Sequence, residues 1–213
     1  MKKLLTILLA TICLFALCAC NSDSNQGSNP TGTNPIKVGV VQTTQHPALD
    51  AATQGFVDAL KENGITNVDV QNASGESANC STIVGNFVAD GVDLIMANAT
   101  PALQAASAAT DTIPVLGTSI TVYDVVLGGS APKNVSGTTD LAPLDEQAKM
   151  ITELFPEAKK VGVLFCSAEA NSQYQVDKIS EFLKEDGIET INYVFNDSND
   201  ITAVTEKAVS DKV

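Results

Sequence analysis

Short apolar runs alternate along most of this chain with stretches whose apolar residues recur every three to four positions. Ile36–Val41 is a run that predicts a buried strand. Leu49, Ala52, Phe56 and Leu60 then fall on one face of a helix running to about Asn63, and Gly64 supplies a stop. Val68–Gln71 predicts a second strand. Cys80, Ile83, Val84, Phe87 and Val88 share a face of a helix from Asn79 to Asp90, ended by Gly91. Val92–Ala97 predicts a third strand, Pro101–Thr110 an Ala-rich helix with Pro in its first turn, and Ile113–Leu116 a fourth strand. Strands that alternate with helices of about ten residues or more predict a parallel, doubly wound α/β sheet. Sheets of that kind bind ligands beyond the C-terminal ends of their strands.

The rhythm breaks between Tyr123 and Asp140, where Gly128, Gly129, Pro132 and Gly137 cluster before a short extended piece, Val135–Thr139. This reads as a passage into a second lobe. Beyond it the alternation resumes with a helix marked by Leu144, Ala148, Ile151 and Phe155. A strand at Lys160–Phe165, a helix marked by Val176, Ile179 and Leu183, a strand at Ile188–Phe195 and a helix from Ile201 follow. A weak repeat links the halves: Lys37-Val38-Gly39-Val40-Val41 returns as Lys160-Val161-Gly162-Val163-Leu164, and Leu60–Ile65 returns as Leu183–Ile188. The second lobe shows only two strands, and a lone parallel pair leaves its faces exposed. The pattern therefore predicts a truncated second lobe, with lobes at 36–132 and 133–213.

The first twenty residues are of another kind. Lys2 and Lys3 precede an apolar run from Leu4 to Leu17, about fourteen residues, too short for a comfortable membrane span. Leu17-Cys18-Ala19-Cys20 follows, with small residues just ahead of Cys20. Residues 1–20 read as a signal peptide, and 21–35, rich in Asn, Ser, Gly, Thr and Pro, as a flexible tether reaching roughly 20 Å.

Composition narrows the chemistry. Lys and Arg total 12 against 25 Asp and Glu, a formal charge of −13, and every basic residue is Lys. An acidic surface repels nucleic acid and anionic headgroups, so no nucleic-acid partner is expected. Without Arg, an anion has to be held by hydroxyls, backbone N–H groups, helix N-termini or Lys. One His, no G-x-S-x-G elbow and no glycine-rich phosphate loop give no support for catalysis, for a metal or for a cofactor.

Several segments carry a family resemblance: VGVVQTTQHPALDAATQGFVDALKENG, VDLIMANATPALQAA, IPVLGTSIT, NVSGTTDLAPLDEQ and KKVGVLFCSAEANS, in this order. Together they resemble the solute-binding lipoproteins of ABC transporters of the tryptophan/tyrosine-binding-protein-like family. The resemblance implies a type I periplasmic-binding-protein fold with two lobes, each a doubly wound parallel sheet, and a ligand between them. It also implies lipidation of Cys20, anchoring to the outer face of the cell membrane, ABC permease subunits as partners, and an amino acid, aromatic by preference, as solute. The chain departs from the family pattern at Thr121-Val122-Tyr123-Asp124, where an Asp-Pro pair would follow the Thr, and at Cys166-Ser167-Ala168, where Asn-Ser-Ser would stand. A sugar, nucleoside or peptide binder of the same fold, or a lipoprotein sensor domain, remains an alternative.

The fold rule and the resemblance point to the same loops. They contribute Thr44 and His46 after the first strand, Ala99 and Thr100 after the third, and Ser119 and Thr121 after the fourth. The crossover adds Thr139 and Asp140, and the second lobe Ser167, Glu169, Asn171 and Ser172. Helix starts at Thr100-Pro101 and Asn171-Ser172 suit a carboxylate, and Asp140 or Glu169 an ammonium. Each has a plainer reading beside it. Thr100 and Asp140 fit helix caps, Glu169 a solvated rim, and His46 a loop-ordering role. Tyr123 and Tyr174 are candidates for stacking on an aromatic solute, whereas Phe165 fits the core and Cys166 a small apolar filler.

Overall fold

The computed structural model describes residues 35–196 and 199–213. Cys20 and the signal-like segment lie outside the described residues. Five strands, β1 (Lys37–Gln42), β2 (Asn67–Asn72), β3 (Leu94–Asn98), β4 (Val115–Ile120) and β5 (Val135–Thr139), form one sheet in the order β2-β1-β3-β4-β5. Every pairing is parallel. A second sheet holds β6 (Lys160–Cys166) and β7 (Glu189–Phe195), also parallel and in continuous register from Lys160↔Glu189 to Cys166↔Phe195. The passage strand Val135–Thr139 is thus itself the fifth strand of the first sheet.

Helices α1 (Pro47–Glu62), α2 (Ser77–Ala89) and α3 (Thr100–Ala109) cross over between strands of the first sheet. Val38, Val40 and Met96 pack towards Phe56 and Leu60 of α1 on one face. Val41, Ile95, Ala97 and Val115 pack with Phe87 of α2 and Leu103 of α3 on the other. Sheathing on both faces is why the central strands read as unbroken apolar runs rather than alternating ones. In the second sheet, α5 (Leu144–Leu154) and α6 (Ala170–Glu185) close a core of Ala148, Leu183 and Ile188, while α7 (Ile201–Asp211) packs on β7.

The repeated Leu-Lys-Glu-Asn/Asp-Gly-Ile motif acquires a physical meaning here. At the end of α1, Gly64 takes φ 81° and donates to Lys61 O, while Ile65 N–H donates to Leu60 O. At the end of α6, Gly187 takes φ 75° with the bonds Gly187 N–H to Lys184 O and Ile188 N–H to Leu183 O. This is the paired-bond C-terminal stop that needs a left-handed residue after the cap. Gly91, after α2, repeats it.

The structure moves two boundaries that matter for function. β3 extends through Asn98, and β4 runs to Ile120 instead of stopping at Leu116. A four-residue helix, α4 (Tyr123–Val126), then fills the segment expected to be irregular. Polar residues in a strand tip do not announce themselves by periodicity, because their backbone bonds and not their side chains keep them in the sheet.

Candidate functional site

In the order β2-β1-β3-β4-β5 the chain leaves β1 to opposite sides, so a crevice opens beyond the ends of β1 and β3. Thr43 stands at its floor. Its Oγ1 donates to Asn98 O at 3.1 Å and accepts from Ala102 N–H of α3 at 3.3 Å. Leu103 N–H donates to Ala99 O, and Pro101 has no N–H to offer. Among the described residues, the Thr100 N–H is therefore left as the donor at the positive end of α3 without a bond.

The strand tips are strained. Ala99 sits at φ 79°, ψ 164°, a region that essentially only Gly enters freely. Ser74 beyond β2 and Ser119 in β4 take φ 57° and 58°. Each costs roughly 1–3 kcal/mol. Three left-handed residues without the excuse of glycine lie at three strand ends on the same edge of one sheet. Such strain concentrates where backbone must be aimed at something.

Beneath the tips runs a polar chain that leads from exposed Asp50 to buried Asn98. Gln42 Nε2 donates to Asp50 Oδ1 at 2.6 Å, Thr53 Oγ1 donates to Gln42 Oε1 at 2.6 Å, and Asn98 Nδ2 donates to Thr53 Oγ1 at 2.9 Å. Asn98 is fully buried, yet its Oδ1 has no partner. An orphaned buried acceptor costs about 1–3 kcal/mol, which a buried water would offset. A cavity of about 580 Å³ opens beside Gln42, Thr44, Asp50, Thr53 and Asn72.

Of the first-lobe residues expected at the site, Thr44, Ala99, Thr100, Ser119, Thr121, Thr139 and Asp140 all lie at the C-terminal edge of the five-stranded sheet. Thr100 and Thr121 are buried; Asp140 is exposed and its N–H donates to Ile120 O. Thr139 Oγ1 donates to Thr121 O at 2.7 Å and accepts from Leu141 N–H, which fixes the start of the crossover. His46 is exposed, and its Nδ1 accepts from Ala48 N–H at 3.2 Å as the N-cap of α1.

The second-lobe group gathers at the end of β6. Ser167 Oγ donates to Asn196 Oδ1 at 2.9 Å. Glu169 stands at the N-cap of α6 and its Oε2 accepts from Ser172 Oγ at 3.2 Å. Asn171 Oδ1 is buried without a partner, and the Ala170 and Asn171 N–H groups make no bond among the described residues. Of the aromatic candidates, Phe165 is buried. Tyr174 lines a cavity of about 430 Å³ with Leu141, Pro143 and Phe182. Tyr123 turns its hydroxyl onto backbone carbonyls.

Sequence reasoning missed Gln42 and Thr53, and it read Tyr123 as a stacking platform for a solute, whereas its hydroxyl is bonded to the Gly117 and Thr138 carbonyls. A signal existed for Thr53: it lies four residues after Leu49 and three before Phe56, on the apolar stripe of α1.

A doubly wound parallel sheet with polar, strained strand tips, followed by a second α/β unit with free helix N–H groups at its own tips, defines a binding protein of the two-lobed α/β class. Residues 37–213 match the family model of ABC transporter substrate binding proteins, and the chain belongs to that family. A curated relative, the tyrosine-binding protein of Clostridioides difficile (strain R20291), is 32 % identical over 225 residues, covering 98 % of this chain and 65 % of its own length. The solved ABC domain from Streptococcus pneumoniae in complex with L-Trp is 32 % identical, with a TM-score of 0.76 over 82 % of this chain and 62 % of that one. A ligand-free, open substrate binding protein from Clostridium difficile, also 32 % identical and covered to 63 %, superposes with a TM-score of 0.57 over 83 % of this chain. The chain thus spans less than two thirds of the length of these relatives. The type I periplasmic-binding-protein fold expected from the sequence is the fold observed, and these relatives are binding proteins.

Proposed function

We propose that this chain is the solute-capturing part of an ABC uptake system, that its solute is an aromatic amino acid, and that it performs no catalysis itself. The observation that carries the reading is a pair of unsatisfied polar edges, one on each lobe. The free Thr100 N–H on the first matches the free Ala170 and Asn171 N–H groups on the second. An amino acid supplies what such edges lack: a carboxylate for the N–H groups and an ammonium for the carbonyls and for Asp140 or Glu169. No Arg is needed, which agrees with its absence from the sequence.

Thr44, Ser119, Thr121, Thr139, Ser167 and Ser172 then offer hydroxyls around the solute, with His46 ordering the entrance loop. Closure of one lobe on the other about the β5 crossover presents the closed form to permease subunits, and a cytoplasmic ATPase drives transport. Lipidation of Cys20 holds the protein on the outer face of the cell membrane.

Calorimetric titration decides the ligand class. L-tryptophan or L-tyrosine should bind and raise Tm, because a solute that binds only the folded state stabilises it, while glucose and uridine do neither. Absence of binding by any of the twenty amino acids would remove the class. Cys20→Ala should move the protein from the membrane to the soluble fraction; unaltered fractionation refutes the anchor.

A further inference from the structure

Where β4 and β5 part company, the ladder is irregular. Pairing runs Gly117↔Gly137 and resumes at Ile120↔Thr139, so β4 takes three steps where β5 takes two. Ser119 absorbs the extra residue at φ 58°. Into this gap comes a side chain from just beyond the strand. Tyr123 Oη donates to Gly117 O at 2.9 Å and shares the proton with Thr138 O at 3.2 Å. One hydroxyl thus bridges the two strands where their own pairing slips.

The surroundings are shaped for that hydroxyl. A Cβ on Gly117 would stand 2.6 Å from Tyr123 Oη and 3.1 Å from its Cε1. A Cβ on Gly137, which lies at φ 149°, would collide with the same hydroxyl and with Gly117 O. Only two facing glycines let the ring reach the backbone. Burial, and after it the Asp140 carboxylate, push the Tyr123 pKa above the ordinary tyrosine range, so the hydroxyl keeps its proton and stays a donor. Tyr123 also opens α4, and α4 packs on α6, the second-lobe helix that carries Asn171 and Ser172.

We propose that Tyr123 is a hinge clasp: it bridges β4 to β5 at the root of the crossover and thereby positions Thr121, Thr139 and Asp140 for the solute without touching it. The clasp fixes the register in which Thr139 Oγ1 reaches Thr121 O and Asp140 N–H reaches Ile120 O. Through α4 it also ties that register to the helix at the edge of the second lobe. Tyr123 is a positioning residue, and its role in binding rests on the solute-binding reading above.

The test is Tyr123→Phe in the 213-residue chain, which removes one hydroxyl and keeps the ring. Without any ligand, amide hydrogen exchange in 117–121 and 137–140 should speed up about three- to tenfold, the worth of one hydrogen bond, while β1 and β3 keep their rates. The Kd for L-tryptophan or L-tyrosine, whichever the unaltered chain binds more tightly, should rise by a similar factor with Tm within about 3 °C. Gly117→Ala, which evicts the hydroxyl by volume, should speed exchange in the same two segments. Unchanged exchange in those segments, faster exchange everywhere with a large fall in Tm, or an unaltered Kd would each overturn the proposal. If the unaltered chain binds neither amino acid, the solute reading fails; local acceleration in Tyr123→Phe then still supports the clasp, and its absence overturns it.

Discussion

β1 and β6 open with the same four residues, Lys-Val-Gly-Val, and meet opposite surroundings. Val38, Val40 and Val41 of β1 are fully buried. In β6, Val161 and Val163 are only half-buried and Leu164 is 42 % exposed. The difference lies in neighbours. β1 is paired on both edges, by β2 and β3, and lies between α1 on one face and α2 on the other. Among the described residues β6 is paired by β7 alone. Identical local sequence therefore gives identical local structure and different burial, because burial belongs to the sheet and its layers rather than to the strand.

The matched glycines carry the same lesson. Gly39 and Gly162 occupy the third position of the repeat. A Cβ on Gly39 would lie 2.6 Å from the Phe87 ring, itself locked in the larger core. A Cβ on Gly162 would meet Val213 Cγ2 at 2.6 Å and the Tyr193 ring at 3.0 Å.

These pairs supply experiments in order of expected effect. Gly39→Ala should destabilise by about 2–3 kcal/mol, since overpacking a closed core forces backbone to shift. That lowers Tm by roughly 5–10 °C for a chain of this size. Gly162→Ala should cost under about 1 kcal/mol, because the nearest atom it meets belongs to the Val213 side chain, which is 38 % exposed and can shift. Equal losses would erase the contrast between the sheets.

Val40→Ala should lose about 1.5–2.5 kcal/mol through burial and cavity terms, and Leu164→Ala at most about 1 kcal/mol, both read from urea midpoints. A costly Leu164→Ala would mean that its exposed face is covered in solution.

Thr53→Val tests whether the polar chain under the first-sheet tips is structural. It leaves Gln42 Oε1 without the Thr53 donor and Asn98 Nδ2 without the Thr53 acceptor, and should cost about 1–2 kcal/mol. An unchanged midpoint would show that water replaces the hydroxyl.

The smallest effect belongs to the second sheet. The Asp211 carboxylate accepts from Lys207 Nζ at 2.7 Å and Tyr193 Oη at 2.9 Å. The Lys207 bond first, then the Tyr193 bond, hold its pKa below the usual Asp value. A carboxyl depressed by folding contributes stability above its unfolded pKa and loses it as pH falls through the folded one. Acidification below about pH 4 should therefore loosen α7 from β7 before it affects the first sheet, as hydrogen exchange would show, and Asp211→Asn should abolish that step. Simultaneous loosening of both sheets would argue against it.

What the sequence determined by itself was local and repetitive. Among the described residues, apolar runs and three-to-four-residue spacing placed the long helices and most strands to within a few residues, while β4 ran four residues past its apolar run and β5 was marked only by the glycines and proline around it. The Gly-Ile exits marked helix ends because only a left-handed residue after the cap completes the paired bonds. The edge of the sheet on which the candidate residues gather was also legible, since parallel strands joined by helices present their ends together. The tertiary structure alone decided how deeply each strand is buried. It also put Thr53 under Asn98, and it spent the Tyr123 hydroxyl on two backbone carbonyls instead of a solute. The contacts of Thr53 and Tyr123 join residues 6 to 45 positions apart in the chain, and no periodicity encodes a contact made through a neighbouring strand.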